Sequence, residues 1–217
     1  MNKLRISHYI KVLFREGTEW EYKGLLPVSS SAEFSIKIYS WRKRLILLAP
    51  SLIILYYLKN GFSIDFMTYI MTALAIFIGL FTNLIIVLYQ RFATLPKGDE
   101  PNQNSHLNIL NTEKIKNFIR QFTFVTGKNL LIATCIIIML SIFMMFKSLA
   151  TLNTRQLEFI RTLKDINTAS ATLFLKALVV LLVRFFIIYA LIDFSVLLLY
   201  SLGSLFAFLK GEYKQET

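Results

Sequence analysis

Residues 173–209 form the longest apolar run in the chain, broken only by Lys176, Arg184 and Asp193. A bilayer core about 30 Å thick is crossed by roughly 20 helical residues, so a run of ~37 predicts a membrane helix with length to spare. Charges at that depth cost on the order of 3 kcal/mol each on insertion scales, and they face protein or water rather than lipid. At about 100° per residue, Arg184 lies roughly 80° round from Lys176 and Asp193 about 180° round from Arg184. Arg184 and Asp193 therefore cannot pair within their own helix. Three roles stay open for these charges: contacts with neighbouring helices or subunits, the lining of an aqueous route for ions or substrate, or snorkelling of Lys176 and Arg184 to an interface.

The rest of the composition agrees with a membrane setting. The 217 residues are 55% hydrophobic and 17% charged, with a mean hydropathy of +0.56, which is too apolar for a soluble domain of this length. A net charge of +11 would suggest nucleic acid in a soluble protein. In a membrane protein, surplus Lys and Arg set topology and meet the anionic inner leaflet, so no direct nucleic-acid binding is expected. Cys135 is the single cysteine and lies inside an apolar run, and His8 and His106 are isolated. These predict neither a disulfide framework nor a metal site, and no cofactor is expected.

The first 44 residues contain no long apolar core and no small-residue cleavage pattern, which predicts a retained N-terminus rather than a secretory signal. Ile6, Tyr9, Ile10, Leu13 and Phe14 recur at helical spacing among Lys3, Arg5, Lys11 and Arg15, predicting a basic amphipathic helix. Pro27 and Ser29, Ser30 and Ser31 mark a connector, and the alternation of Phe34, Ile36 and Ile38 allows a short strand or simply an approach to the membrane. Trp41 followed by Arg42, Lys43 and Arg44 is an interfacial anchor ahead of a first span over 45–58, which carries Pro50. A tight reversal at Asn60 and Gly61 leads into a second span over 66–89 containing Gly79, Thr82 and Asn83. Asn83, one turn from a small residue, marks a helix contact or a pore position.

Between Arg91 and Lys128 the chain is polar. Pro96, Gly98, Asp99 and Pro101 describe a loop, after which Asn111 or Thr112 can cap a helix striped by Ile115, Phe118, Ile119 and Phe122 against Lys114, Lys116, Arg120 and Gln121. Gly127 and Lys128 lead into a third span over 130–146, and 149–172 suggests an amphipathic cap. Basic residues number nine in 1–44, six in 91–128 and two in the tail, against Lys59 and four in 147–164. The positive-inside rule then places both termini and the middle loop in the cytoplasm. If 173–209 were two short helices around Asp193, the C-terminus would instead lie outside.

The expected fold is all-α: an integral membrane protein with four transmembrane helices, plus amphipathic helices at the cytoplasmic interface. Its divisions are 1–44, a cytoplasmic N-terminal region; 45–89, spans one and two; 90–128, a cytoplasmic loop with an amphipathic helix; 129–209, spans three and four with their external connector; and 210–217, a cytoplasmic tail. The sequence contains no Ser/His/Asp or Cys/His set, no phosphate-cradling glycine loop and no carboxylate pair within a span, so no enzyme is expected.

The layout, the second-span ending Phe81-Thr82-Asn83-Leu84-Ile85-Ile86-Val87-Leu88-Tyr89 and the amphipathic lead into span three resemble small four-span membrane proteins of bacterial anti-phage defence, such as the membrane subunit of the Kiwa system. The resemblance implies a homo-oligomer in the bacterial inner membrane that joins a cytosolic effector protein and responds to infection. Three function classes follow: a sensor or scaffold for such an effector, an oligomeric ion channel or membrane-depolarising effector, and an accessory subunit of another membrane complex. Asn83, Lys176, Arg184 and Asp193 are the intramembrane candidates for an oligomer seam or pore. Arg42, Lys43, Arg44, Lys114, Ile115, Lys116, Phe118 and Arg120 are the candidates for a partner or lipid surface.

Overall fold

A computed structural model of the chain describes residues 6–25, 36–58, 61–94, 105–146 and 168–213, and among them every regular element is a helix. In chain order these are α1 (Ile6–Leu25), α2 (Ile36–Tyr57), α3 (Ile64–Thr94), α4 (Ser105–Met145) and α5 (Thr168–Tyr213). Helices α3, α4 and α5 carry windows long and apolar enough to cross a membrane. The chain is thus a membrane protein with three such helices among the described residues. In α2, Lys37, Arg42, Lys43 and Arg44 occupy the first half, and the remaining 13 residues (45–57) rise only about 20 Å, short of a hydrocarbon core.

Most of the residues that pack inward on these helices follow a seven-residue repeat. On α4 the buried positions include Ile119, Phe122, Thr126, Asn129, Ala133, Ile136, Leu140 and Phe143, alternately three and four apart. On α5, Ala177, Val180, Arg184, Ile187, Phe194 and Ser201 keep the same phase. Met67, Leu74 and Leu88 share it on α3. A repeat averaging 3.5 residues keeps one stripe of a helix against its neighbours and is the seam of left-handed bundle packing. Polar residues hold places within it: Thr126 and Asn129 on α4, Arg184 and Ser201 on α5.

Contacts divide the chain into two compact units. One comprises 41–77 and 132–195, the other 1–40, 78–131 and 196–217. In the first, the α2 to α3 reversal falls at Gly61, whose φ of 78° is a left-handed conformation open to glycine without strain. The Ser63 hydroxyl accepts the Phe66 N–H at 3.1 Å, capping α3. Phe62 stacks on Phe66 and meets the Phe143 ring edge-on at 6.3 Å. The Ser141 hydroxyl approaches the Met71 sulfur, and Phe77 meets Phe194 at 6.0 Å, so α3, α4 and α5 touch in this unit. Pro50 removes one helical donor within α2, while the buried Ser51 hydroxyl donates to the Leu47 carbonyl at 2.7 Å.

The second unit has its apolar centre at Leu88, Ile119 and Phe122, with Phe81, Leu84, Ile115, Phe118 and Leu205 packed around them. Phe118 stacks flat on Phe208 at 4.1 Å, and the Gln121 amide donates to the Tyr200 hydroxyl at 2.7 Å.

Two expectations change. Residues 36–40 belong to α2 rather than to a strand, because the apolar positions from Ile36 onward continue into the helix. The helix expected from Asn111 or Thr112 begins at Ser105 and continues without a break through Gly127 and Lys128 into the third apolar run. Gly127 is tolerated there because α1 lies across it, with the Leu13 side chain 3.2 Å from where a Cβ would stand. The last run is, as expected, a single helix, 46 residues long and continuous through Asp193, which sets aside the alternative of two short ones. The loop residues 95–104 lie outside the described residues, as do residues 149–167 of the cap expected over 149–172, whose last residues, 168–172, belong to α5.

Candidate functional site

A cation on an otherwise apolar membrane helix needs a counter-charge or water, and the first unit supplies one from another helix. Lys43 Nζ lies 2.7 Å from Asp193 Oδ1, with both side chains more than four-fifths buried. Lys43 is four residues before Leu47 and eight before Ser51, the buried positions of α2, so it points inward with them. Arg42 and Arg44 flank it and are exposed. The three anchor cations of the sequence therefore separate into one helix-pairing residue and two surface residues. Arg184, on the packed stripe of α5, is fully buried, whereas Lys176 near the start of that helix is exposed.

The second unit contains a clasp that sequence reasoning missed. Along α1, Leu13, Gly17 and Glu21 recur every four residues and form the face laid against α4. A Cβ on Gly17 would stand 2.9 Å from Lys128 Cβ and 3.0 Å from the Phe124 carbonyl oxygen. The absent side chain lets the two helices approach. Lys128 Nζ then donates to Glu21 Oε2 at 3.0 Å and to the Thr18 hydroxyl at 3.1 Å, while the Tyr39 hydroxyl donates to Glu21 Oε1 at 2.9 Å. Glu21 and Lys128 are 3% and 6% exposed, so a full ion pair is closed off from solvent and held from α1, α2 and α4. The available signal was the charge inside an apolar stretch at Lys128, which required an acid from elsewhere in the chain.

Because the contact at Gly17 has no slack, Gly17→Leu is expected to cost about 1–3 kcal/mol by overpacking. Protease cleavage within α1 of the detergent-purified protein measures this. Cleavage no faster than in the wild type would show that α1 is held by something other than this face.

Near the clasp, Tyr89, Lys116, Asn117, Ile119, Arg120, Thr123 and Phe124 line a cleft of about 710 Å³. The Arg120 guanidinium lies 5.8 Å from the Trp20 ring centre, a cation–π distance. Ile115 and Phe118, in contrast, are half-buried against the apolar centre of the unit. Lys114 belongs to α4, and its side chain lies outside the described residues. Asn83 is exposed on α3, on the same side as exposed Gly79, Thr82 and Ile86.

Comparison of the chain with family models, curated proteins and solved structures found no match.

Proposed function

We propose that this chain is a non-enzymatic membrane subunit, assembled as a homo-oligomer in the bacterial inner membrane with both termini cytoplasmic, that serves as sensor or scaffold for a cytosolic effector protein. The observation that carries the reading is the disposition of its polar groups. Asp193 is consumed by Lys43 and Glu21 by Lys128 within the chain, while Lys116 and Arg120 remain on an open cleft. A scaffold needs this division between internal pairing and a basic surface left for an acidic partner. On this reading α2, extended at its basic end by Trp41 and neighbouring residues, is the fourth span, and α1 lies at the cytoplasmic interface.

The homo-oligomer is supported by α3. Only 6% of its most apolar window is buried within the chain, and Gly79, Thr82 and Asn83 sit on its open side. In hydrocarbon an exposed amide beside small residues is best satisfied by a second helix. The likeness in layout to membrane proteins of anti-phage defence supplies the setting in which to look for the effector.

The test is purification from native membranes in mild detergent, with the mass of the intact particle and identification of what accompanies it. The expected particle contains several copies of the 25.2 kDa chain with a stoichiometric soluble protein, and Asn83→Leu lowers the number of copies. A partner-free monomer would end the proposal.

Arg184 favours a second reading, an oligomeric channel or depolarising effector, because it is a cation held in a membrane-length helix. Conductance in planar bilayers that disappears in Arg184→Leu would establish that reading, and a silent wild type would dispose of it.

A further inference from the structure

Within the unit formed by 41–77 and 132–195, a groove of about 270 Å³ runs between α2 and α5. As numbers rise along α2 they fall along α5: Lys43 meets Asp193, and the groove beyond that pair is shared by Leu45 and Leu48 with Phe185 and Phe186. The two helices are therefore antiparallel along it, and its accessible lining is apolar. At one end stand Trp41, Arg44 and Tyr189, each an apolar body with a polar tip. From there the wall continues with Leu45, Leu48, Phe185 and Phe186, and Arg44 to Leu48 spans about 6 Å of helix rise. The outer rim is apolar and open: Leu45 and Phe186 are 58% and 55% exposed.

We propose that this groove holds one anionic phospholipid, its phosphate on Arg44 and one acyl chain along Leu45, Leu48, Phe185 and Phe186. Three features select that occupant. On the reading that α2 is the fourth span, on which this proposal rests, the apolar rim lies at the start of its apolar stretch, against lipid rather than water. The end at Arg44 carries Trp41 beside a cation, the side-chain pair found at headgroup level. The neighbouring charges cancel, since Lys43 and Asp193 neutralise one another, so Arg44 leaves the mouth positive. Its planar guanidinium offers the forked donors that phosphate oxygens accept. The bound lipid becomes a third layer between α2 and α5 and supports a helix whose apolar part is too short to span alone. The proposal is independent of whether the chain docks a cytosolic partner.

The measurement is native mass spectrometry of the full-length protein released from nanodiscs containing phosphatidylglycerol and phosphatidylcholine in equal amounts. One phosphatidylglycerol per chain is expected to be retained in preference to phosphatidylcholine, on the order of fivefold for a single cation at the membrane surface. Arg44→Gln is expected to remove the preference and Arg44→Lys to keep most of it, while Leu48→Trp fills the groove and removes retained lipid of both kinds. Equal retention of the two lipids by the wild type overturns the proposal, as does a preference that survives Arg44→Gln. Should that variant fail to fold, undiminished retention in Leu48→Trp overturns it instead.

Discussion

Lys128→Met is expected to lower the melting temperature of the detergent-purified protein by roughly 10 °C. The substitution takes the Lys128 ammonium away from Glu21, 3% exposed, which keeps the Tyr39 hydroxyl as a side-chain donor. Breaking one side of a buried ion pair costs about 3–5 kcal/mol, because the desolvation of the surviving charge is no longer offset. For a chain of this length each kcal/mol moves the midpoint by about 2–4 °C. The pair itself contributes far less than that loss suggests. Glu21→Gln combined with Lys128→Met is therefore expected to recover most of the stability, since neither uncompensated charge remains. Circular dichroism melts of the two single variants and the double variant form the cycle. Additive losses would show that Glu21 and Lys128 are not coupled, and the clasp described here would be wrong.

The second large effect is at Lys43 and Asp193. Lys43→Met takes the ammonium away from Asp193, and Asp193→Asn takes the carboxylate away from Lys43, each at a cost on the order of 3 kcal/mol, the scale of a charge held in apolar surroundings. Exchanging the two, Lys43→Asp with Asp193→Lys, restores opposite charges across the same 2.7 Å contact and is expected to return at least half of the loss. Yield of folded protein in membranes and its melting midpoint report the result. A charge exchange no better than the worse single variant would mean that each residue serves a separate role, and Asp193 would regain its standing as a pore-lining candidate.

These two pairs also show where sequence reasoning reaches and where it stops. The apolar run at 173–209 and the runs over 66–89 and 130–146 announced long membrane helices by length alone, since nothing but a helix satisfies its own backbone in lipid. Asn60 and Gly61 announced the reversal ahead of α3, because the turn needs a residue free to adopt positive φ, and Gly61 does so. The rotational separation of Arg184 and Asp193 correctly required Asp193 to look beyond its own helix.

Which side chain answers it was not legible. Lys43 stands in a run with Arg42 and Arg44, and only its phase relative to Leu47 and Ser51 turns it inward. That phase has meaning only once a neighbouring helix defines which face is inside. The packed seam was hidden for a related reason. In a soluble helix the inward stripe is apolar and the outer face polar, so hydropathy reveals it. On α3, α4 and α5 the lipid-facing side is as apolar as the interior, and Leu74 and Leu80 are indistinguishable in sequence although one is 3% and the other 61% exposed.

The helix expected from Asn111 or Thr112 and the span expected over 130–146 are one element, since α4 runs unbroken from Ser105 to Met145. Two of its polar positions are satisfied laterally, Lys128 by Glu21 on α1 and Gln121 by Tyr200 on α5. Sequence alone determined that this chain enters a membrane as helices and that its charges needed partners, because burial in lipid leaves few alternatives for a backbone or a charge. Tertiary structure alone decided the partners and the inward faces, because both depend on contacts between segments as distant as Glu21 and Lys128, for which local pattern carries no signal.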